Sequence, residues 1–505
     1  RDVQEVIDRV LRPNLEGCVL DAGHVGASIE RALKSKSDSS EDTNSGELKK
    51  SLRQAFYSFL CSHIIQTPCF GVKLRLLKII NSIDKIGSTV RTTELAPLLE
   101  TWRTFSDAEV ASICEKEQLV QQELDQEVLT IVSHKDKEAE NVVLSVIEKD
   151  ADTLRSGFVF AAFTRLGQIW RRLSEERQIA AAKRMLDIAF HAPPTVEINA
   201  KETLRNVKLP EAALVDFIDR IPASISKLDG QSPSPKRRRT DDGSATSATA
   251  QEELDQTIDQ ITFILELVDA SSPDEHPAIV PSLFQALDAI YHFKSRIQSG
   301  MGYLLSLALG SLLAVVNRSK GSAKPLFDTS VVRADLVVDC VRTTDSPQVQ
   351  NTALLLVAAL AVIAPEMVLH SVMPIFTFMG SSVLRKDDDY SVMVIDQTID
   401  QVVPALVQSL RNQKRDIVAG TSELLLSFTA AFDHIPSHRR QRLFEALVTK
   451  LGAQDFLFAV LAMLANRHGL DKNVSSLMIQ LVSSLSSDVQ LIVSAIVIGF
   501  LGAKY

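Results

Sequence analysis

The chain has 505 residues, 45% of them hydrophobic, and a formal charge of −9 from 54 Lys+Arg against 63 Asp+Glu. That length allows three or four domains of roughly 100–200 residues, or one long repeat array. The acidic balance excludes a globally basic nucleic-acid binder, so any RNA contact has to use local patches.

The first stretch, "RDVQEVIDRVLRPNL", is amphipathic rather than a signal sequence, and with Arg1 in first place it suggests a piece of a longer protein. Five cysteines follow along the chain: Cys18, Cys61, Cys69, Cys114 and Cys340. Their odd number and the lack of C-x-x-C spacing argue against a zinc module and a secreted disulfide framework. Reduced thiols in a cytosolic or nuclear compartment fit better. Residues 35–47, "SKSDSSEDTNSGE", hold no apolar residue. They cannot bury enough surface to offset their ordering entropy and are expected to form a disordered acidic loop. The rest of 1–228 shows helical spacing and almost no strand alternation, so it reads as a helical repeat region.

Residues 229–251, "DGQSPSPKRRRTDDGSATSATAQ", form the second break and are expected to be a disordered Ser/Pro/basic linker. Lys236, Arg237, Arg238 and Arg239 make a short basic run of the kind import receptors read. Ser232 and Ser234 each precede a proline and are candidate phosphosites. Phosphate there would add about −1.5 to −2 charge and weaken the basic character of the run. The alternative is a solvated linker with incidental charges.

From 252 to 505 the helical period is continuous. In "ELDQTIDQITFILELV", Leu254, Ile258, Ile261, Leu265 and Leu267 share a stripe. In "VIDQTIDQVVPALVQSL" the stripe is Val394, Ile395, Ile399, Val402 and Val403, extended by Leu406 and Leu410. An apolar residue, a proline and more apolar residues recur at "IVPSLFQAL" (279–287), "VMPIFTFMG" (372–380) and "VVPALVQSL" (402–410), with a weaker copy at "LAPLLETW" (95–102). Proline in a helix's first turn loses no hydrogen bond, so each copy reads as a helix start. Residues 346–380 read as one helix pair, with Ser346 as N-cap, Pro347 at the first helical position and a break near Ala364-Pro365. The apolar runs at 301–316, 353–364 and 491–503 fall short of the ~20 residues a membrane span needs, and read as helices buried between neighbours. Helix pairs repeating at about 40 residues predict an all-α, HEAT/armadillo-like α-solenoid of stacked helical hairpins, about ten pairs in all.

Between two apolar segments lies "FMGSSVLRKDDDYSVMV" (378–394), with Asp387, Asp388 and Asp389 in a row. A calcium loop would space its ligands at alternate positions, add a glycine and end on a glutamate, and none of that is present. An Asp that caps the next helix, other Asp residues on its positive end, and Arg385 and Lys386 behind the preceding helix satisfy both dipoles. Farther on, Arg411, Lys414 and Arg415, with Arg439, Arg440 and Arg442 of "SHRRQR", form a candidate basic ridge for RNA or a protein partner. No interleaved aromatic platform accompanies them, so solvated helix ends are the default and base readout is not expected. His434 and His438 are four apart, but Pro436 lies between them and no third ligand is near.

The run "MPIFTFMGSSVLRKDDDYSVMVIDQTIDQVVPALVQS" (373–409) resembles the U3 small nucleolar RNA-associated protein 10 family, which includes HEAT repeat-containing protein 1. The resemblance rests on Ile375 to Gly380, then Arg385, Asp387, Asp388 and Tyr390 of the helix turn, then Val402 to Leu406. "HRRQRLFEALVTKLG" (438–452) and "FLFAVLAMLANRH" (456–468) are similar too. Residues 1–340 carry no such motif.

The resemblance implies the large HEAT-repeat subunit of the small-subunit processome, in the subcomplex that first engages pre-ribosomal RNA and supports ribosomal DNA transcription. It implies a nuclear, nucleolar location. It also implies, as partners, other processome subunits and the pre-ribosomal RNA/U3 particle, directly or indirectly. No membrane, small-molecule substrate or cofactor is expected. No P-loop, G-x-S-x-G, H-E-x-x-H or paired-cysteine motif occurs, so no catalytic, cofactor or metal residue is assigned and the chain is expected not to be an enzyme. The alternative function is a HEAT-repeat nuclear transport receptor, or another helical-repeat protein-binding scaffold.

Overall fold

The structure is a computed structural model. It describes residues 2–38, 45–83, 88–136, 138–230, 243–293, 300–322, 324–369, 371, 374–376, 379, 388–412, 417–469 and 471–504. Every regular element among these residues is a helix. Contacts divide the chain into two compact units, Arg1–Ala213 and Leu214–Tyr505. The boundary falls inside the helix Glu211–Gly230 rather than in the segment 229–251.

The helix ends follow the capping chemistry of the sequence. Ser106 and Glu109 form a reciprocal capping box at the start of Asp107–Glu117. Pro347 opens the helix Pro347–Ile363, and the break comes at Ala364, as the sequence predicts. Pro281 likewise lies in the first turn of Val280–Phe293. Pro404 and Pro97 do not start helices. They lie inside Asp389–Asn412 and Ser88–Thr104. A helix survives an internal proline when its flanking turns are held by tertiary packing. Around Pro404 the residues Val402, Val403, Leu406 and Val407 are all buried.

Helices enter both low-complexity stretches, whose remaining residues, 39–44 and 231–242, lie outside the described residues. The helix Ala22–Asp38 runs into the acidic stretch and Ser45–Gln66 begins within it. The helix Gly243–Ala270 starts inside the expected linker. Extending an existing helix needs no new nucleus, so polar residues next to a packed helix join it at little cost.

In the Arg1–Ala213 unit one layer is the succession Ala22–Asp38, Phe70–Ser82, Gln121–Thr130, Ser156–Trp170 and Pro194–Asn206, each packed on the next. Ser45–Gln66 with Ser88–Thr104, and Ala139–Glu148 with Glu175–His191, form the facing layer. In the Leu214–Tyr505 unit one layer runs Gly243–Ala270, Met301–Lys320, Pro347–Ile363, Asp389–Asn412, Ser437–Leu451 and Lys472–Ser483. Val280–Phe293, Ala334–Thr343 and Pro365–Leu369 face its first half, and Ile417–Ala430, Ala453–His468 and Ser487–Lys504 its second. Each unit is thus a stack of helix pairs of the HEAT type.

Met301–Lys320 is long and apolar enough by length and composition to cross a membrane, longer than its apolar run 301–316 suggests. Here it packs against Gly243–Ala270, Val280–Phe293 and Pro347–Ile363, burying Leu304, Leu309, Leu312 and Val316 completely.

Ion pairs join one repeat to the next. Arg103 pairs with Asp150, Arg184 with Glu148, Arg177 with Glu140, Arg318 with Asp274 and Arg442 with Asp396. The partners are about one repeat apart in sequence, from 36 to 47 residues. Each has at least one partly exposed partner, and the exposed Arg318–Asp274 pair is worth at most about 1 kcal/mol. One pair differs. Asp125 is fully buried and accepts from Arg155 Nη2 at 3.0 Å, Arg155 Nη1 at 3.3 Å and Trp102 Nε1 at 2.7 Å. Arg155 also donates from Nε to the Phe105 carbonyl at 3.0 Å, and its guanidinium lies 5.0 Å from the Trp102 ring centre. One buried carboxylate therefore ties three helices, Ser88–Thr104, Gln121–Thr130 and Ser156–Trp170, at a single point.

Candidate functional site

The acidic turn and the basic run, 50 residues apart, come together. Asp388 precedes the helix Asp389–Asn412, and its Oδ1 accepts the Ser391 N–H at 2.8 Å. That is an N-cap bond, made by one of the three consecutive carboxylates. Asp389 lies in the first turn, exposed, where the helix dipole favours negative charge. Tyr390 is exposed, and so is Met393 one turn on. Arg385 and Asp387 lie outside the described residues.

Beside this helix start lies the next repeat's helix, Ser437–Leu451. The two helices enclose a cleft of about 280 Å³ lined by Asp389, Asp396, His438, Arg439 and Arg442. Arg442 Nη2 donates to Asp396 Oδ2 at 2.7 Å across it. The cleft is an inter-repeat contact of mixed charge. Among the described residues no group of three or more His, Cys, Asp or Glu side chains is placed to hold a metal ion.

The structure breaks up the expected basic ridge. Arg439 is only 9% exposed, because on this helix it falls on the buried stripe with Leu443 and Leu447. Arg440 turns the other way. Its Nε donates to the Ile435 carbonyl at 2.9 Å and its guanidinium stacks 4.2 Å from the Phe432 ring centre. It fastens the turn before the helix, a packing role. Arg442 is exposed but paired with Asp396. Arg411 is exposed at the end of Asp389–Asn412, and Lys414 and Arg415 lie outside the described residues. Lys236, Arg237, Arg238, Arg239, Ser232 and Ser234 also lie outside them. The sequence reading missed Asp396 and Phe432. The acidic residue 46 positions before Arg442 was the available signal for the first.

Asp388→Ala removes the cap alone. It is expected to cost about 1–2 kcal/mol in denaturant unfolding and to leave calcium and magnesium titrations by calorimetry unchanged. A tight divalent site in the parent that this change abolishes would reassign the turn to metal binding.

Residues 418–494 match the family described as HEATR1-like, HEAT repeats. Similarity to whole proteins is far more extensive. The chain is 58% identical over 496 residues to the U3 small nucleolar RNA-associated protein 10 of Aspergillus clavatus, covering 98% of this chain and 27% of that protein. The protein of the same name from Neosartorya fischeri is 59% identical over 495 residues, covering 97% and 27%. The one from Coccidioides immitis is 48% identical over 503 residues, covering 98% and 28%. The chain therefore resembles these proteins from end to end, including residues 1–340, and spans about a quarter of their length. An engineered protein of solved structure covers 85% of the chain at 14% identity with a TM-score of 0.26, which carries no argument.

Proposed function

We propose that this stretch of a U3 small nucleolar RNA-associated protein 10 family member is a non-catalytic HEAT-repeat scaffold of ribosome biogenesis. The observation that carries the reading is the 58% identity along 98% of the chain to a protein so named. The geometry supports the same reading. The polar groups at the acidic turn are committed to a cap and an inter-repeat pair, and they do not converge on a substrate-sized site. A stack of helix pairs works by presentation, with partners docking along exposed helix faces and inter-repeat turns. In this reading the protein belongs to the subcomplex that first meets pre-ribosomal RNA, acts in the nucleolus and supports ribosomal DNA transcription. Its partners are other processome subunits and the U3 particle.

The test is crosslinking of the tagged full-length protein in cells, with sequencing of bound RNA and identification of crosslinked proteins. Pre-ribosomal RNA and processome subunits are the expected catch. Recovery of small GTPases with shuttling cargo would favour a transport receptor instead. The basic run at 236–239 serves nuclear import here, tuned by phosphate at Ser232 and Ser234. Deleting 231–242 is expected to weaken import of the isolated chain while moving its melting temperature by less than about 3 °C, because the segment has no apolar residue to give to a core. A larger fall would show the segment to be packed.

A further inference from the structure

A cleft of about 600 Å³ lies between two consecutive helices of one layer in the Arg1–Ala213 unit, Ser156–Trp170 and Pro194–Asn206. That is a volume in which ligand side chains can be sequestered. One wall carries Phe160, which is 48% exposed. Ile198, the sequence neighbour of the lining residue Asn199 but not itself in the lining, is 63% exposed. A large apolar side chain left open in a cleft wall is an anchor in search of a partner.

The floor adds an independent sign. Gly167 lines the cleft in the middle of its helix, and nothing lies within 4 Å of where its Cβ would stand. A mid-helix glycine costs about 1 kcal/mol relative to alanine, and no packing neighbour here needs the room. The vacant volume opens into the cleft.

The polar lining suits a peptide main chain. The Gln168 Oε1 accepts from Arg165, and its amide N–H groups can donate. Asn199 donates to the Thr195 carbonyl, which leaves its own oxygen as an acceptor. The Asn206 side chain has no partner among the described residues. Charge then selects the partner. The charged residues of the lining are Arg171 and Lys208 against Glu202, a positive balance in a chain whose total is −9. Arg171, exposed, stands at the end of the Phe160 wall.

We propose that this cleft docks an extended acidic segment of a partner protein. One apolar side chain sits over Gly167 against Phe160, the main chain meets the amides, and carboxylates face Arg171. Single-stranded nucleic acid fits less well. A lone exposed phenyl ring gives successive bases no platform. The inference rests on the scaffold reading only in taking the repeats to be partner-docking surfaces.

The test uses the whole chain and fluorescein-labelled peptides of about twelve residues, rich in Asp and Glu around one Leu or Phe. Controls are their Asn/Gln counterparts and an unstructured RNA oligonucleotide of matching length, all read by anisotropy. The acidic peptides are expected to saturate, with the neutral set at least about tenfold weaker. Gly167→Trp should abolish binding, and Phe160→Ala and Arg171→Glu should each weaken it about tenfold. Gly310→Trp, at another helical glycine with nothing within 4 Å, should change nothing. Circular dichroism checks that each variant is folded. Absence of saturable binding by any acidic peptide, or binding that survives both Gly167→Trp and Phe160→Ala, overturns the proposal. RNA binding removed by those changes reassigns the cleft to nucleic acid. Co-sedimentation of the full-length protein with pre-ribosomal particles is read separately, so an empty cleft leaves the scaffold reading standing.

Discussion

Arg155→Ala is expected to destabilise the Arg1–Ala213 unit by about 3–5 kcal/mol, the range for leaving one member of a buried ion pair alone. The change strips Asp125 of two of the donors it accepts from and leaves the Trp102 N–H as its remaining named partner. The carboxylate is fully buried, so water cannot replace the loss without opening the core. The Phe105 carbonyl loses its donor at the same time. Urea unfolding measures the total. Amide exchange locates it, and protection should fall first in Ser88–Thr104, Gln121–Thr130 and Ser156–Trp170. The double change Asp125→Leu with Arg155→Met should recover part of the loss, since it removes both charges together. A cost below about 1 kcal/mol for Arg155→Ala would place this pair with the surface pairs and deny it the role of a three-helix tie.

That tie was invisible in the sequence, and its invisibility has a physical cause. Asp125 sits in "QQELDQEVLT", a segment polar enough to read as a solvated helix. Nothing local separates it from Glu123 or Glu127, and its partner is 30 residues away. What sequence shows well is periodic apolar content, because burial of a stripe is set within one helix. Val394, Ile395, Ile399, Val402, Val403, Leu406 and Leu410 share one helical spacing, and all are buried. Proline's position alone does not set a helix start. It marks helix starts only where the preceding turn lacks tertiary support, as at Pro347 and not at Pro404. The acidic turn was legible for the same reason as the stripe, since a cap is a contact over three residues. The basic run was not, because the face a cation takes depends on helix phase and on the neighbouring repeat. Arg439 and Arg442 differ by three positions, yet one is buried and the other meets Asp396. Exposed grooves leave the weakest trace of all. Phe160 and Gly167 look like ordinary residues of an apolar helix until the packing shows the side they face.

Leu406→Asp is expected to cost several kcal/mol, comparable with the 5–15 kcal/mol of a whole small domain. Leu406 is 6% exposed on Asp389–Asn412, which packs on Pro347–Ile363 before it and Ser437–Leu451 after it. A carboxylate there has no cation assigned to meet it, so it must ionise in the core, take up a proton or force the helix out. Each outcome disturbs both neighbouring pairs, because in a stacked array a repeat owes its stability to its two interfaces. Exchange protection should collapse across 347–451 and persist in Ser156–Trp170. Leu426→Asp is the matched control. Leu426 is 47% exposed on Ile417–Ala430, where the same new charge stays in water and should change stability by no more than about 0.5 kcal/mol. Chemical unfolding of the two variants side by side separates burial from the mere addition of a charge. Equal effects would mean that the Asp389–Asn412 stripe is not the contact between repeats, and the stacking of this unit would have to be redrawn.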